Sequence, residues 1–112
     1  MTFKLSLENK VAVVTGGSRG IGRAIALEFG ERGAAVVVNY NSSPDAAEDV
    51  VKRITEAGGK TAAFKADVSD FKQAEALIKF AIDTFGDLSI LVNNAGITRD
   101  QLIMMPSRRS RR

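Results

Sequence analysis

Thr15-Gly16-Gly17-Ser18-Arg19-Gly20-Ile21-Gly22 is the stretch whose residue types and spacing suit chemistry. It follows the apolar run Val11-Ala12-Val13-Val14 without a gap. It leads straight into Arg23-Ala24-Ile25-Ala26-Leu27-Glu28-Phe29, a helical pattern. A buried strand, a glycine turn and a helix start, in that order, make a cradle for phosphate. Gly16 lets the chain turn off the strand tip. Gly20 leaves no side chain between the backbone and a pyrophosphate, and Gly22 lets the helix approach the sheet closely. The helix start then points free N–H groups and the positive end of its dipole at the anion. The competing reading is a purely structural glycine turn. The flanking strand and helix weigh against it.

The elements that must hold this loop alternate along the chain. Val11–Val14 is continuously apolar, as in a strand covered on both faces. A helix is predicted from about Gly20 to Glu31, with Ile21, Ala24, Ile25 and Phe29 on one face and Gly33 ending it. Residues 35–39 (Ala-Val-Val-Val-Asn) read as a second buried strand. Ser43-Pro44-Asp45 reads as a helix start with Ser as cap and Pro in the first position. Ala47, Val50, Val51 and Ile54 recur at helical spacing up to Gly58-Gly59. Thr61–Lys65 is a shorter strand, and Asp67-Val68-Ser69-Asp70 leads to a third helix. Phe71, Ala74, Ile78, Ile82 and Phe85 form its apolar stripe, and Gly86 stops it. Ile90-Leu91-Val92 is a fourth strand with the exit loop Asn93-Asn94-Ala95-Gly96. Strand–helix repeated three times, then a strand, predicts a parallel sheet with helices on both faces. The expected core is Val13, Ile25, Val37, Val51, Ile78 and Leu91.

Composition bounds the chemistry. With 45% hydrophobic and 26% charged residues, the 112-residue chain suits one small globular domain. The lack of Cys excludes disulfides and thiolate catalysis, and the lack of His removes the commonest general base. No apolar run approaches membrane-spanning length and residues 1–10 lack a signal-peptide core, so a cytoplasmic location is expected. The net charge of +3 is smaller than the contribution of the four arginines in Ser107-Arg108-Arg109-Ser110-Arg111-Arg112. The basicity belongs to this tail, and the body before it is faintly acidic.

Thr15-Gly16-x-x-x-Gly20-Ile21-Gly22, then Asp67-Val68, then Asn93-Asn94-Ala95-Gly96, resembles the short-chain dehydrogenase/reductase family. The three motifs fall in order at the ends of the first, third and fourth strands, and the likeness covers roughly residues 5–105. Val11–Gly22 with Asn94-Ala95-Gly96-Ile97-Thr98-Arg99-Asp100 is most similar to the bacterial 3-oxoacyl-[acyl-carrier-protein] reductases, which reduce β-keto thioesters with NADPH in fatty-acid elongation. The resemblance implies an α/β fold. It is a partial doubly wound (Rossmann) parallel sheet of four strands ordered 3-2-1-4 with three helices. The fourth strand would form an open parallel edge. Residues 1–105 would be a truncated dinucleotide-binding domain and 106–112 a basic, disordered tail.

The implied cofactor-binding residues are Gly16, Ser18, Arg19, Gly20, Ile21, Gly22, Tyr40, Asn41, Asp67, Val68, Asn94, Ala95 and Gly96. Asp67 and Val68 would lie against the adenine, although Asp67 could instead cap the following helix. Asn94, Ala95 and Gly96 would line the ribose and pyrophosphate, and one of the two asparagines would tie neighbouring strands together. Charge favours NADP(H) as cofactor. Nicotinamide sites for the unphosphorylated cofactor place an acid at the end of the second strand. Here Asn39-Tyr40-Asn41-Ser42-Ser43 stands there, with no carboxylate before Asp45. Arg19 inside the loop offers a fork for a 2′-phosphate.

The family's Ser and Tyr-x-x-x-Lys have no counterpart. The only tyrosine is Tyr40, and Pro44 stands four residues on. No catalytic residue therefore transfers, and the expectation is the NADP(H)-binding half of a reductase of 3-oxoacyl thioesters, inactive by itself. The alternative is a non-catalytic dinucleotide-binding or interaction fragment from a truncated or frameshifted gene. A one-base shift turns GAA codons for Glu into AGA codons for Arg, which would explain the tail. No membrane partner is expected, and a nucleic-acid partner is not expected because no aromatic–basic interleaving accompanies the arginines, which lie outside the body. The interface helices usual in the family are missing, so no oligomeric state follows.

Overall fold

The structure, a computed structural model, describes residues 6–94 and the backbone of residues 101–104. Expectations that fall on Ala95, Gly96 and the 106–112 tail lie outside the described residues. The elements are β1 (Val11–Val14), α1 (Gly20–Glu31), β2 (Ala35–Tyr40), α2 (Pro44–Glu56), β3 (Thr61–Lys65), α3 (Phe71–Phe85), β4 (Ile90–Asn93) and β5 (Gln101–Met104). The sheet order is β3-β2-β1-β4-β5. The first four strands are parallel, in the 3-2-1-4 order expected, with Val13 opposite Val37 and Leu91.

Strand alternation sorts the apolar residues into two layers. Ala12, Val14, Val36, Val38, Ile90 and Val92 meet Ala26 of α1 and Ala47, Val50 and Ile54 of α2 on one face. Val13 and Val37 meet Leu77 and Ala81 of α3 on the other. β1 and the first five residues of β2 are buried throughout because helices cover both faces. β3 lies at the sheet edge and is half-buried, with Phe64 stacked on Phe80 of α3 at a 4.7 Å centroid distance. Asp49 on α2 joins the helices of the first layer, bonded to Arg23 and Arg53, each at 3.0 Å.

Three expectations need correction. β4 is not an open parallel edge, because β5 pairs with it antiparallel, Leu91 opposite Ile103. The four-strand sheet therefore gains a fifth strand. An antiparallel return needs only a short connection, so it escaped a reading built on helix-length crossovers. The α3 stripe points elsewhere than expected: Leu77 and Ala81 are buried, whereas Phe71 is 77% exposed. Ala74, Ile78 and Ile82 are half-buried and form with Phe71 an apolar ridge beside the core contact. On α1 the buried residues are Gly22 and Ala26, while Ile21 is 60% exposed. Small residues let this helix sit close to the sheet, with Ile25, Leu27 and Phe29 half-buried against the first layer. Of the expected core, Val13 and Val37 are fully buried, and Ile25, Val51, Ile78 and Leu91 are half-buried.

Among the described residues, no helix is long and apolar enough to cross a membrane, and no cluster of His, Cys, Asp or Glu could hold a metal ion.

Candidate functional site

The motifs meet at the carboxyl ends of the parallel strands, where open α/β sheets carry their ligand crevice. At the tip of β1 the chain turns through Gly16 (φ 64°) and enters α1 after Gly20 (φ 56°). Gly22 faces back onto this turn. A Cβ there would stand 2.3 Å from the Gly16 carbonyl oxygen and 2.7 Å from the Asn94 amide nitrogen. A Cβ on Gly20 would meet no protein atom within 4 Å, so the space beside it is open to a ligand.

The start of α1 is built differently from that of α3. At α3 the Asp70 carboxylate accepts from the N–H groups of Lys72 and Gln73. At α1 no side chain caps the helix and no acid lies in the first turn. The N–H groups of Gly20, Ile21 and Gly22 have no intrahelical carbonyl within reach. They form a positive helix end that an anion can satisfy.

β4 and β1 are joined above the ladder by side chains. The Thr15 hydroxyl accepts from the Asn94 N–H at 2.7 Å and donates to the Val92 carbonyl at 3.2 Å. The Asn94 side chain donates to the Gly16 carbonyl at 3.4 Å. An Asn of this loop therefore does tie the two strands, at the glycine turn itself.

The loop expected to face the adenine follows β3. Asp70, not Asp67, caps α3, which removes the capping role considered for Asp67. The Asp67 carboxylate instead accepts from the Ser69 hydroxyl at 2.6 Å and the Ser69 N–H at 3.0 Å. These bonds hold its pKa below the ordinary carboxylate range, the hydroxyl bond contributing most. Because the folded-state pKa is lowered, this turn's stabilisation is complete above about pH 4 and is lost as pH falls through the folded value. The Ser69 amide resonance should titrate with a midpoint below about 3.9, and Asp67→Asn should remove that titration. Val68 is half-buried against the α3 layer.

At the end of β2, Tyr40 is half-buried and Asn41 exposed. Arg19 is exposed and reaches across, its Nη2 donating to the Ser43 hydroxyl at 2.7 Å. Ser43 holds the N-cap position of α2 as expected, yet makes no side-chain cap bond, its hydroxyl being engaged by Arg19. Among the described residues Arg19 pairs with no carboxylate. Ser18, within the loop, is buried. Sequence reasoning missed Asn39 as a site residue. It is 1% exposed and bonded to the glycine loop. Its signal was an amide closing an apolar strand run.

A parallel sheet in this order, with a glycine turn and uncapped helix at its first strand, defines a doubly wound dinucleotide-binding protein. Residues 10–109 match the family model described as short chain dehydrogenase, and the chain belongs to that family of oxidoreductases, which bind nicotinamide dinucleotides. It is 57% identical over 91 residues to an uncharacterized oxidoreductase of Methylorubrum extorquens, covering 81% of this chain and 37% of that protein. It is 52% identical over 95 residues to the 3-oxoacyl-[acyl-carrier-protein] reductase FabG of Staphylococcus aureus, covering 85% of this chain and 39% of the relative. A solved short chain dehydrogenase from Burkholderia cenocepacia, in complex with NADP, superposes with a TM-score of 0.80 at 43% identity. That superposition covers 85% of this chain and 39% of the solved one. The chain spans less than two-fifths of the length of these relatives.

Proposed function

We propose that this chain binds NADP(H) as the cofactor-binding part of a reductase of 3-oxoacyl thioesters. The observation that carries the cofactor choice is the end of β2. It holds no carboxylate, and Arg19 with the Ser43 hydroxyl stands beside it as a fork and a hydroxyl suited to a 2′-phosphate. The open space at Gly20 and the uncapped α1 start fit a pyrophosphate. The Asp67–Val68 loop and Asn94 flank the same crevice, on the adenine and ribose sides. NADPH supplies a hydride to a carbonyl carbon when bound; the described residues bind and orient its adenylate and pyrophosphate portion. The thioester substrate rests on the likeness to the Staphylococcus aureus reductase.

Fluorescence titration tests the cofactor assignment. NADPH should bind at least about tenfold more tightly than NADH, the worth of one charge-assisted bond. Equal affinities overturn it. The 112-residue chain alone should not oxidise NADPH with acetoacetyl-CoA, because its single tyrosine, Tyr40, stands at the end of β2 with Pro44 four residues on. Turnover would require another proton donor.

A further inference from the structure

We infer that Asn39 is the positioning residue that fixes the glycine turn against the adenine-side loop, a role that rests on the dinucleotide reading above. β1 and β3 are not neighbours, since β2 lies between them. No ladder bond therefore relates the two loops that leave their tips. The β1–β2 ladder has its last paired residues at Val14 and Val38, and the next residue of β2 is Asn39.

Its side chain bridges both sides. Oδ1 accepts from the Gly16 N–H at 3.2 Å. Nδ2 donates to the carbonyls of Ala66 at 3.1 Å and Phe64 at 3.3 Å, with a longer contact to Tyr40 at 3.4 Å. Its main-chain carbonyl accepts from the Gly17 N–H at 3.0 Å. One residue thus holds two consecutive amides of the glycine turn and the backbone that runs into Asp67. The amide has a direction. Turned over, it would set NH₂ against N–H and carbonyl against carbonyl, so a single orientation satisfies the site. At 1% exposure no water replaces these partners. A dinucleotide spans both loops, so their separation sets whether adenine and pyrophosphate are held at once.

Asn39→Ala and Asn39→Asp test this by hydrogen exchange, NMR and ligand titration. In folded Asn39→Ala, the Gly16 amide should lose protection without ligand, while Gly17 keeps its bond to the main-chain carbonyl. NADPH affinity should fall about tenfold or more. Adenosine 2′-monophosphate, which has no pyrophosphate, should bind within about twofold of the unsubstituted chain. A merely structural loss would weaken both ligands equally. Asn39→Asp keeps the shape but presents an ionised carboxylate to two carbonyls. Its Ala66 and Asp67 amides should be poorly protected near pH 7 and regain protection towards about pH 5, where a buried carboxyl regains a donor proton. The unsubstituted chain should show no such pH step. Unchanged Gly16 exchange, or equal weakening of both ligands, overturns the positioning role alone. If Asn39→Ala does not fold, the absence of the pH step in Asn39→Asp overturns it. Failure of the unsubstituted chain to bind NADPH overturns the dinucleotide reading and this role with it.

Discussion

Gly22→Ala should destabilise the fold by about 3 kcal/mol and abolish measurable NADPH binding, because the added methyl group has nowhere to go. Its Cβ would stand 2.3 Å from the Gly16 carbonyl oxygen, well inside contact distance. The obstructing atom is backbone at the apex of the glycine turn, so no rotamer change relieves it. Either α1 moves off the sheet or the turn opens. Moving the helix loosens Ala26 in the core, and opening the turn breaks the bond from Asn94 to the Gly16 carbonyl. Both outcomes withdraw the helix N–H groups from the crevice. Urea denaturation reads the stability and fluorescence titration the binding. Gly20→Ala is the control for stability alone: its methyl group meets open space in the protein, and only the left-handed backbone costs about 1 kcal/mol. Equal midpoints for Gly22→Ala and the unsubstituted chain would show that the helix has room to spare.

Arg19→Ala should weaken NADPH about 10- to 100-fold while leaving NADH within about twofold, which is the loss of one bond to a charged phosphate. Arg19 is exposed and sits in the N-cap position of α1, where its side chain makes no cap bond. Among the described residues its guanidinium bonds only to the Ser43 hydroxyl, a neutral partner it can share with an anion. Removing it therefore leaves the core intact, and thermal unfolding without ligand should barely change. The effect should shrink with added salt, because an exposed charge is screened. If NADPH and NADH weaken by the same factor, Arg19 acts on the loop and not on a 2′-phosphate.

Much of the site was readable in order along the chain. Thr15–Gly22 between an apolar strand and a helical pattern located the turn, and the apolar runs at Val11–Val14 and Ala35–Val38 located the strands that carry it. Local periodicity fails where a helix has more than one apolar face. On α3, Phe71, Ala74, Ile78 and Ile82 made the most regular stripe, yet the sheet takes Leu77 and Ala81. The stripe has the right spacing, but spacing does not say which side the sheet is on. β5 was missed for another reason. It follows β4 after a short connection and pairs back antiparallel, an arrangement that a reading built on helix-length crossovers does not look for.

The sequence by itself determined the alternation of strands and helices, the 3-2-1-4 arrangement through family resemblance, and the glycine turn leading into a helix. Each rests on interactions within one segment or on a motif that travels as a unit. Only the tertiary structure decided that Gly22 presses on Gly16, that Arg19 reaches Ser43, and that Asp70 rather than Asp67 caps α3. Only there does Asn39 become the link between two loops whose strands never touch. Hydrogen bonds are directional and short, so a partner is settled by where folding brings it, and residue type alone supplies the donor or acceptor without its address.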